Sequence, residues 1–366
     1  MKASYKIKAV IVFYITVCIL GRGSYPIYAK NSTTDKAKTN TNASYVVVCG
    51  VPVGIRLKSH GVIVTGFMGF TAENNEYISP AKEAGIKEGD RIIGINGFDV
   101  EDIDDMQKAL DSLSDTKVKM KVENADGISV KEVELCRDSE TNELKLGIWG
   151  RDSVSGIGTL TYYDEKSKSY GALGHAISDG AEPYCISGGS IMSVELTGIK
   201  KGVAGAPGEL RGYFKDNEQV AGDVSLNCDM GIFGHIEDIK KITNSCEFCK
   251  MAVADSSQVH KGCAYIMTSA VDGSVKKYSI EITQINKEND SGTKCFNIKV
   301  TNSKLIEASG GIVQGMSGSP IVQDGKLVGA VTHVMVNDPT KGYGIFAEKM
   351  LETAQSVANR QEKEAG

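Results

Sequence analysis

The hexapeptide Gly-Met-Ser-Gly-Ser-Pro at Gly315–Pro320 constrains this chain more than any other segment. Gly315 and Gly318 permit backbone conformations that side-chain-bearing residues avoid, so the chain can reverse within very few residues. Pro320 closes the turn, and Ile321-Val322 opens an apolar run that reads as a buried strand. A tight turn that feeds a strand leaves the Ser317 hydroxyl bare. It also lets the N–H groups of Gly315 and Ser317 point into one hollow, as an oxyanion requires, while Gly318 leaves room for a substrate backbone. Ser317 is therefore read as a candidate nucleophile, weighed against the plainer reading of a structural turn. Ser319 is the rival hydroxyl, but it precedes a proline and lacks that donor spacing.

The residues around this turn call for a mainly β chain. Glycine is abundant (41) and proline scarce (7), and the middle and C-terminal thirds are rich in Val, Ile and Thr, which favours short strands and many turns. A length of 366 residues accommodates two or three domains. The net charge of −5, without a basic cluster, argues against nucleic acid as a partner. Lys2, Lys6 and Lys8 precede an apolar run, Ala9–Gly21, and Ile27-Tyr28-Ala29 suits a cleavage point, so residues 1–29 read as a signal peptide or N-terminal membrane anchor. A helix over that run would span roughly 20 Å against a ~30 Å hydrocarbon core, which favours the signal. On either reading the body is exported. Residues 30–44 are polar and small, a flexible linker. Of nine cysteines, Cys18 lies in the signal. Cys246-x-x-Cys249 with His260-x-x-Cys263 has one arm of a zinc-ligand set only, so a disulfide or free thiols are the favoured readings, and no metal or other cofactor is expected.

Residues 45–137 resemble a PDZ domain, most specifically over Ser79–Asp111. Pro80 to Gly85 reads as a short helix ended by glycine, Gly89-Asp90 as a turn and Arg91–Ile95 as a strand. Asn96-Gly97 reads as a hairpin turn, and Ile103–Leu113 as an amphipathic helix with Ile103, Met106, Ala109, Leu110 and Leu113 on one side. Lys117–Val122 and Ser129–Leu135 supply closing strands. Such a domain adds a partner's C-terminal peptide as an extra strand and holds its carboxylate with loop N–H groups. The expected loop is Pro52–Ile55, with Val53, Gly54 and Ile55 as peptide-binding residues beside an exposed edge at Ile55–Leu57. The alternative is a degenerate domain that only packs on its neighbour.

Residues 146–357 continue as strands divided by Gly, Asn and Asp: Ile157–Tyr163 and Tyr170–Leu173 around a charged turn, then Ser193–Leu196, Glu209–Phe214, Tyr278–Ile285, Phe296–Val300 and Leu327–Val336. Phe346–Val357 reads as a terminal helix and 358–366 as a disordered tail. His175 directly follows a hairpin, where a general base would be delivered, although a capped loop histidine is the plainer reading. His333, on the strand after the serine turn, is expected to be structural or to line a cleft, with a smaller claim to be the base itself. His60, His235 and His260 have no serine in view.

The runs GGIVQGMSGSPI (Gly310–Ile321), VGAVTHVMVNDPTKGYGIF (Val328–Phe346) and GALGHAISD (Gly171–Asp179) closely resemble the stage IV sporulation protein B peptidases of endospore-forming bacteria. The order of signal or anchor, PDZ module and peptidase matches as well. The resemblance implies a chymotrypsin-like double β-barrel serine peptidase domain after the PDZ domain, with His175 and Ser317 catalytic and the N–H groups of Gly315 and Ser317 as the oxyanion hole. The family's aspartate, fifteen residues ahead of the serine, falls here on Asn302. In a serine peptidase that carboxylate fixes the imidazole tautomer, and losing its charge costs about 10⁴ in rate. Three readings follow: Asn302 orients His175 through its amide oxygen, another carboxylate (Asp179, Asp164 or Asp290) substitutes, or the chain is slow or inactive. The resemblance further implies export from the forespore into the intermembrane space and cleavage of a membrane-bound regulator, so that an intramembrane protease activates the late mother-cell sigma factor. A catalytically impaired PDZ scaffold is the alternative. A quality-control peptidase of the HtrA type fits less well, because there the PDZ module follows the catalytic domain.

Overall fold

The architecture is organised by one strand. In the computed structural model, which describes residues 44–179, 182–214, 220–242, 249–286 and 292–364, Tyr45–Phe67 form a single strand of 23 residues. Its apolar run is buried on both faces, as in strands covered by layers on either side. Val46 and Val48 enter one core, Val47, Cys49, Val51, Val53, Ile55 and Leu57 a second, and Val62 and Val64 a third. Three cores therefore share this strand. It pairs antiparallel with Ile148–Tyr163 from Val47↔Tyr163 to Phe67↔Ile148, with register shifts between Val48 and Val51, Lys58 and Ile63, and Val64 and Gly66. Such irregularities bend a strand and sharpen its twist. At Gly61, φ is +86° and a Cβ would lie 2.6 Å from the Ile92 carbonyl oxygen, so only glycine allows the crossing.

Beyond that crossing lies the PDZ part. Val62 and Ile63 pair with Ile92 and Arg91, and the strands Arg91–Ile95, Lys117–Asn124 and Gly127–Glu134 follow in order to the sheet edge. Helix α1 (Pro80–Glu83) and helix α2 (Ile103–Asp111) stand where the sequence predicts. The Asp102 carboxylate accepts the Asp105 N–H at 2.9 Å and caps α2. Asn96 and Gly97 both have positive φ (49° and 85°), the turn that matches strand twist in a two-residue hairpin. Ala109 and Leu110 are buried, but Ile103 at the start of α2 is 37% exposed.

The peptidase part has two β cores. The first is built on the opening strand, Ile148–Tyr163, Ser169–Ala172, Gly188–Ser193 and Gly231–His235, in a sheet continuous with that of the PDZ part. The second is a closed barrel of six strands, Gly262–Thr268, Lys276–Ile285, Phe296–Val300, Asp338–Phe346, Lys326–Met335 and Pro320–Gln323 in that order. Helix α3 (Ser303–Ser309) precedes the serine turn, and helix α4 (Ala347–Glu364) packs on both halves. Two corrections to the sequence reading arise here. Predicted strand Ser193–Leu196 is a junction, where Gly188–Ser193 ends and Glu195–Lys200 begins. The terminal helix continues past Val357 to Glu364, where a disordered tail was expected. The signal or anchor, the linker up to residue 43, Cys246 and Asp290 lie outside the described residues. Among the described residues no helix is long and apolar enough to cross a membrane.

Candidate active site

Helix α3 ends at Gly310, and the chain runs through the Gly315–Ser319 turn into strand Pro320–Gln323. Its carbonyls are tied down from the opposite sheet. The Thr159 hydroxyl donates to Gly315 O at 2.7 Å, the Thr159 N–H to Ser317 O at 2.9 Å, and the Thr161 hydroxyl to Gly318 O at 2.7 Å. At Gly318 a Cβ would stand 2.0 Å from Thr159 O, so this approach of strand to turn excludes every other residue. The N–H groups divide differently. Met316 N–H donates to Val313 O, Gly318 N–H to Val331 O and Ser319 N–H to Met316 O. Among the described residues, the N–H groups of Gly315 and Ser317 meet no acceptor. These are the two donors the sequence assigns to an oxyanion, and they are left available beside the Ser317 hydroxyl. That hydroxyl donates to Thr332 O at 2.5 Å. Ser319 is fully buried, its hydroxyl without a partner among the described residues, so it presents nothing to a substrate.

His175 arrives from the other half. After strand Ser169–Ala172 the backbone of Leu173 and Gly174 turns left-handed (φ 64° and 69°), and the Leu173 N–H donates to Thr159 O at 3.2 Å. Gly174 rests on the second barrel, where a Cβ would lie 3.1 Å from Thr332 Cγ2 and 3.0 Å from Ile345 Cγ2. His175 Nδ1 lies 2.7 Å from Ala176 O. A carbonyl only accepts, so Nδ1 carries the proton and the neutral ring offers its lone pair at Nε2. Burial holds the His175 pKa below its ordinary value, against the opposing pull of that carbonyl bond. The ring lies against His333, centroids 4.7 Å apart and planes inclined at 35°. Residues 332 and 333 thus form a shared wall: the carbonyl of one receives the serine hydroxyl, and the ring of the next meets the candidate base.

The third member differs from the expectation. The Asn302 side chain accepts the Leu305 N–H at 3.1 Å and caps α3, so its oxygen serves the helix and not His175. Asp164 is spent in its own hairpin turn, accepting from Lys166 N–H and the Ser167 hydroxyl. The backbone of Asp179 pairs with Glu182, its side chain lying outside the described residues. Among the described residues no carboxylate bonds to His175; the Ala176 carbonyl orients the ring instead.

The predicted peptide-binding residues are also corrected. Val53, Gly54 and Ile55 pair on one side with Gly158, Ile157 and Gly156 and on the other with Ser193, Met192 and Ile191. Val53 and Ile55 are buried, and a Cβ on Gly54 would meet the Phe214 ring at 2.8 Å. With both edges filled by the chain's own strands, this segment has no free edge for an added peptide. Of the remaining histidines, His60 bonds Glu101, His235 faces Asp223 and His260 bonds Asp324. The described cysteines are free thiols, and no cluster of metal-ligating side chains occurs among the described residues. Thr159, Thr161 and Thr332 escaped sequence reasoning. The local signal for the first two is the Thr-x-Thr alternation at 159–161, which puts both hydroxyls on one face of a strand.

Comparison with known proteins agrees with the resemblance. The chain matches the SpoIVB peptidase S55 family over residues 142–351, more than half its length, and a PDZ domain family over 78–124. No curated protein matches it. Among solved structures it is similar to the HtrA-type protease AlgW with decapeptide, at 12% identity and a TM-score of 0.33, covering 57% of this chain and 54% of that one. A variant of the same protease with decapeptide is similar at 14% identity and a TM-score of 0.31, covering 61% of this chain and 55% of the other. The chain therefore spans about half the length of those structures. With a PDZ domain ahead of a two-core β fold and the serine turn at the junction, the chain belongs to the SpoIVB peptidase S55 family, a family of serine peptidases.

Proposed function

We propose that the chain is a serine endopeptidase in which Ser317 is the nucleophile and His175 the general base. The observation that carries this reading is the pair of acceptor-free N–H groups at Gly315 and Ser317, beside a hydroxyl on the wall that His175 also touches. The hydroxyl turns from Thr332 O to His175 Nε2, which takes its proton as Ser317 Oγ attacks the peptide carbonyl. The two N–H groups hold the oxyanion, His175 returns the proton to the leaving amine, and water then releases the acyl group. With no charged partner for His175 among the described residues, the Ala176 carbonyl keeps Nδ1 protonated but does little to stabilise the imidazolium. A fluorophosphonate reagent tests the scheme: the full chain labels at Ser317, Ser317→Ala does not, and labelling of that variant at an undiminished rate rules the assignment out.

Family membership supports a regulatory role in sporulation. On this reading the enzyme is exported from the forespore and cleaves a membrane-bound regulator. The cut lets an intramembrane protease activate the late mother-cell sigma factor. An N-terminal anchor or signal and a protein partner at the PDZ part belong to the same proposal. Disruption of Ser317 in the sporulating organism then arrests the late mother-cell programme. A second reading, an impaired PDZ scaffold, is favoured by the serine hydroxyl bonded away from the imidazole and by an asparagine committed to a helix cap. Full sporulation by the Ser317→Ala variant identifies the scaffold.

A further inference from the structure

His333 has no part in the scheme above, yet its ring is packed on that of the candidate base. A centroid separation of 4.7 Å with a tilt of 35° is a direct aromatic contact. His333 Nδ1 is buried without a hydrogen-bond partner among the described residues. A half-buried position that needed only a ring would be better filled by phenylalanine, since an unpaired buried nitrogen is unfavourable. The position is also fixed relative to the nucleophile, because His333 follows the residue whose carbonyl receives the Ser317 hydroxyl. Gly174, next to His175, sits against the side chain of that same Thr332. The imidazole is thus held on one side by the Ala176 carbonyl and covered on a face by His333.

We propose that His333 is a positioning residue for His175, its ring fixing the plane of the imidazole so that Nε2 faces Ser317, an orienting role no carboxylate fills among the described residues. The inference rests on the serine-peptidase reading. His175 and Lys294 are the titratable groups whose fields act on His333: burial and Lys294 keep it neutral at rest, and His175 adds to them once it is charged. The contact is therefore between two neutral rings at rest. When His175 becomes an imidazolium, the face of an uncharged aromatic neighbour is an attractive surface for it.

The test compares His333→Ala, which removes the ring, with His333→Phe, which keeps the ring and removes its nitrogens. His333→Ala is expected to lower kcat by about 10–100-fold with KM little changed, the loss that misplacing a catalytic group produces. Uncovered, His175 also titrates closer to an ordinary histidine, so the acid limb of the rate profile moves to higher pH. His333→Phe recovers most of kcat and returns the limb. The His175 titration is read a second time by NMR in the Ser317→Ala background, where no turnover is needed. Equal kcat and an unmoved His175 titration in His333→Ala overturn the proposal. So does a His333→Phe variant as slow as His333→Ala with His175 titrating normally, because the nitrogens and not the ring would then be required. Absence of fluorophosphonate labelling in the wild-type chain counts against the peptidase reading alone, and the NMR titration still decides the role of His333.

Discussion

At the scale of single residues, the serine turn is held by side chains that a motif does not contain. Thr159 donates twice, through its hydroxyl to Gly315 O and its N–H to Ser317 O, and in doing so turns the carbonyls away from the hollow. Thr159→Val removes the hydroxyl and leaves a half-buried carbonyl without that donor, at a cost of about 1 kcal/mol. We expect its labelling by a fluorophosphonate to slow by about tenfold, with Thr159→Ser close to wild type. Equal labelling by the valine variant would show that the turn shapes itself. Burial, with the fields of His175 and Lys294, pulls the His333 pKa down to about 3. The unfolded chain protonates this residue near 6.5 while the folded one does not, so it takes up more protons on unfolding, and stability falls as pH drops from about 6.5 toward 3. Urea midpoints at pH 7 and pH 5 should therefore differ less in His333→Phe than in wild type. A variant with the wild-type difference would place the acid sensitivity elsewhere.

Elements add what residues cannot. Among the described residues the hairpin Glu195–Lys200 with Glu209–Tyr213 forms a two-stranded sheet of its own, yet it grips the loop before the nucleophile on both sides of Gln314. Gln314 N–H donates to Gly208 O and Leu210 N–H to Gln314 O, each at 2.8 Å, and the Leu210 side chain covers Gly315. A Cβ on Gly208 would lie 2.3 Å from Lys200 O, so Gly208→Ala forces the hairpin to shift. Labelling of Ser317 in that variant should fall by at least about tenfold, with circular dichroism unchanged; retained labelling would free the loop from this clamp. Helix α3 makes a second test, because the residue in the family's aspartate position is its cap. Asn302→Ala should cost about 1 kcal/mol of stability, whereas Asn302→Asp, an equally good cap, should leave both stability and rate within a few-fold. A large rate increase in the aspartate variant would mean that a carboxylate at 302 reaches His175 after all. The cap was readable in principle, as an Asn before a Ser-Lys-Leu-Ile run, but a motif spacing inherited from relatives outweighed that local signal.

For the whole molecule, the local patterns were legible and the long-range pairing was not. Helix α2, the Asn96-Gly97 hairpin and the strand Arg91–Ile95 depend on neighbours in sequence, and they form as predicted. The segment Val53–Ile55 reads equally well as a PDZ loop and strand or as the middle of a larger sheet. An apolar run reports burial but not the partner that covers it. Here the partners come from residues 156–158 and 191–193, more than a hundred positions away. The consequence is mechanical. Because the opening strand carries side chains into the PDZ core and both peptidase cores, melting the first peptidase sheet removes the strand on which Ile92 and Arg91 pair. Domains joined by a linker melt separately, whereas units that share a central strand form one cooperative block. The full chain should therefore unfold in urea in a single transition, coincident for fluorescence of Trp149, which pairs with Gly66 at the PDZ end of the opening strand, and for loss of Ser317 labelling at the junction of the two peptidase cores. A chain beginning at Leu146, which lacks the strand, should fail to fold as a soluble peptidase, and adding residues 44–67 back as a peptide should recover labelling in part. If Trp149 reports unfolding at a urea concentration where Ser317 still labels fully, the PDZ part melts independently and the opening strand does not couple the two.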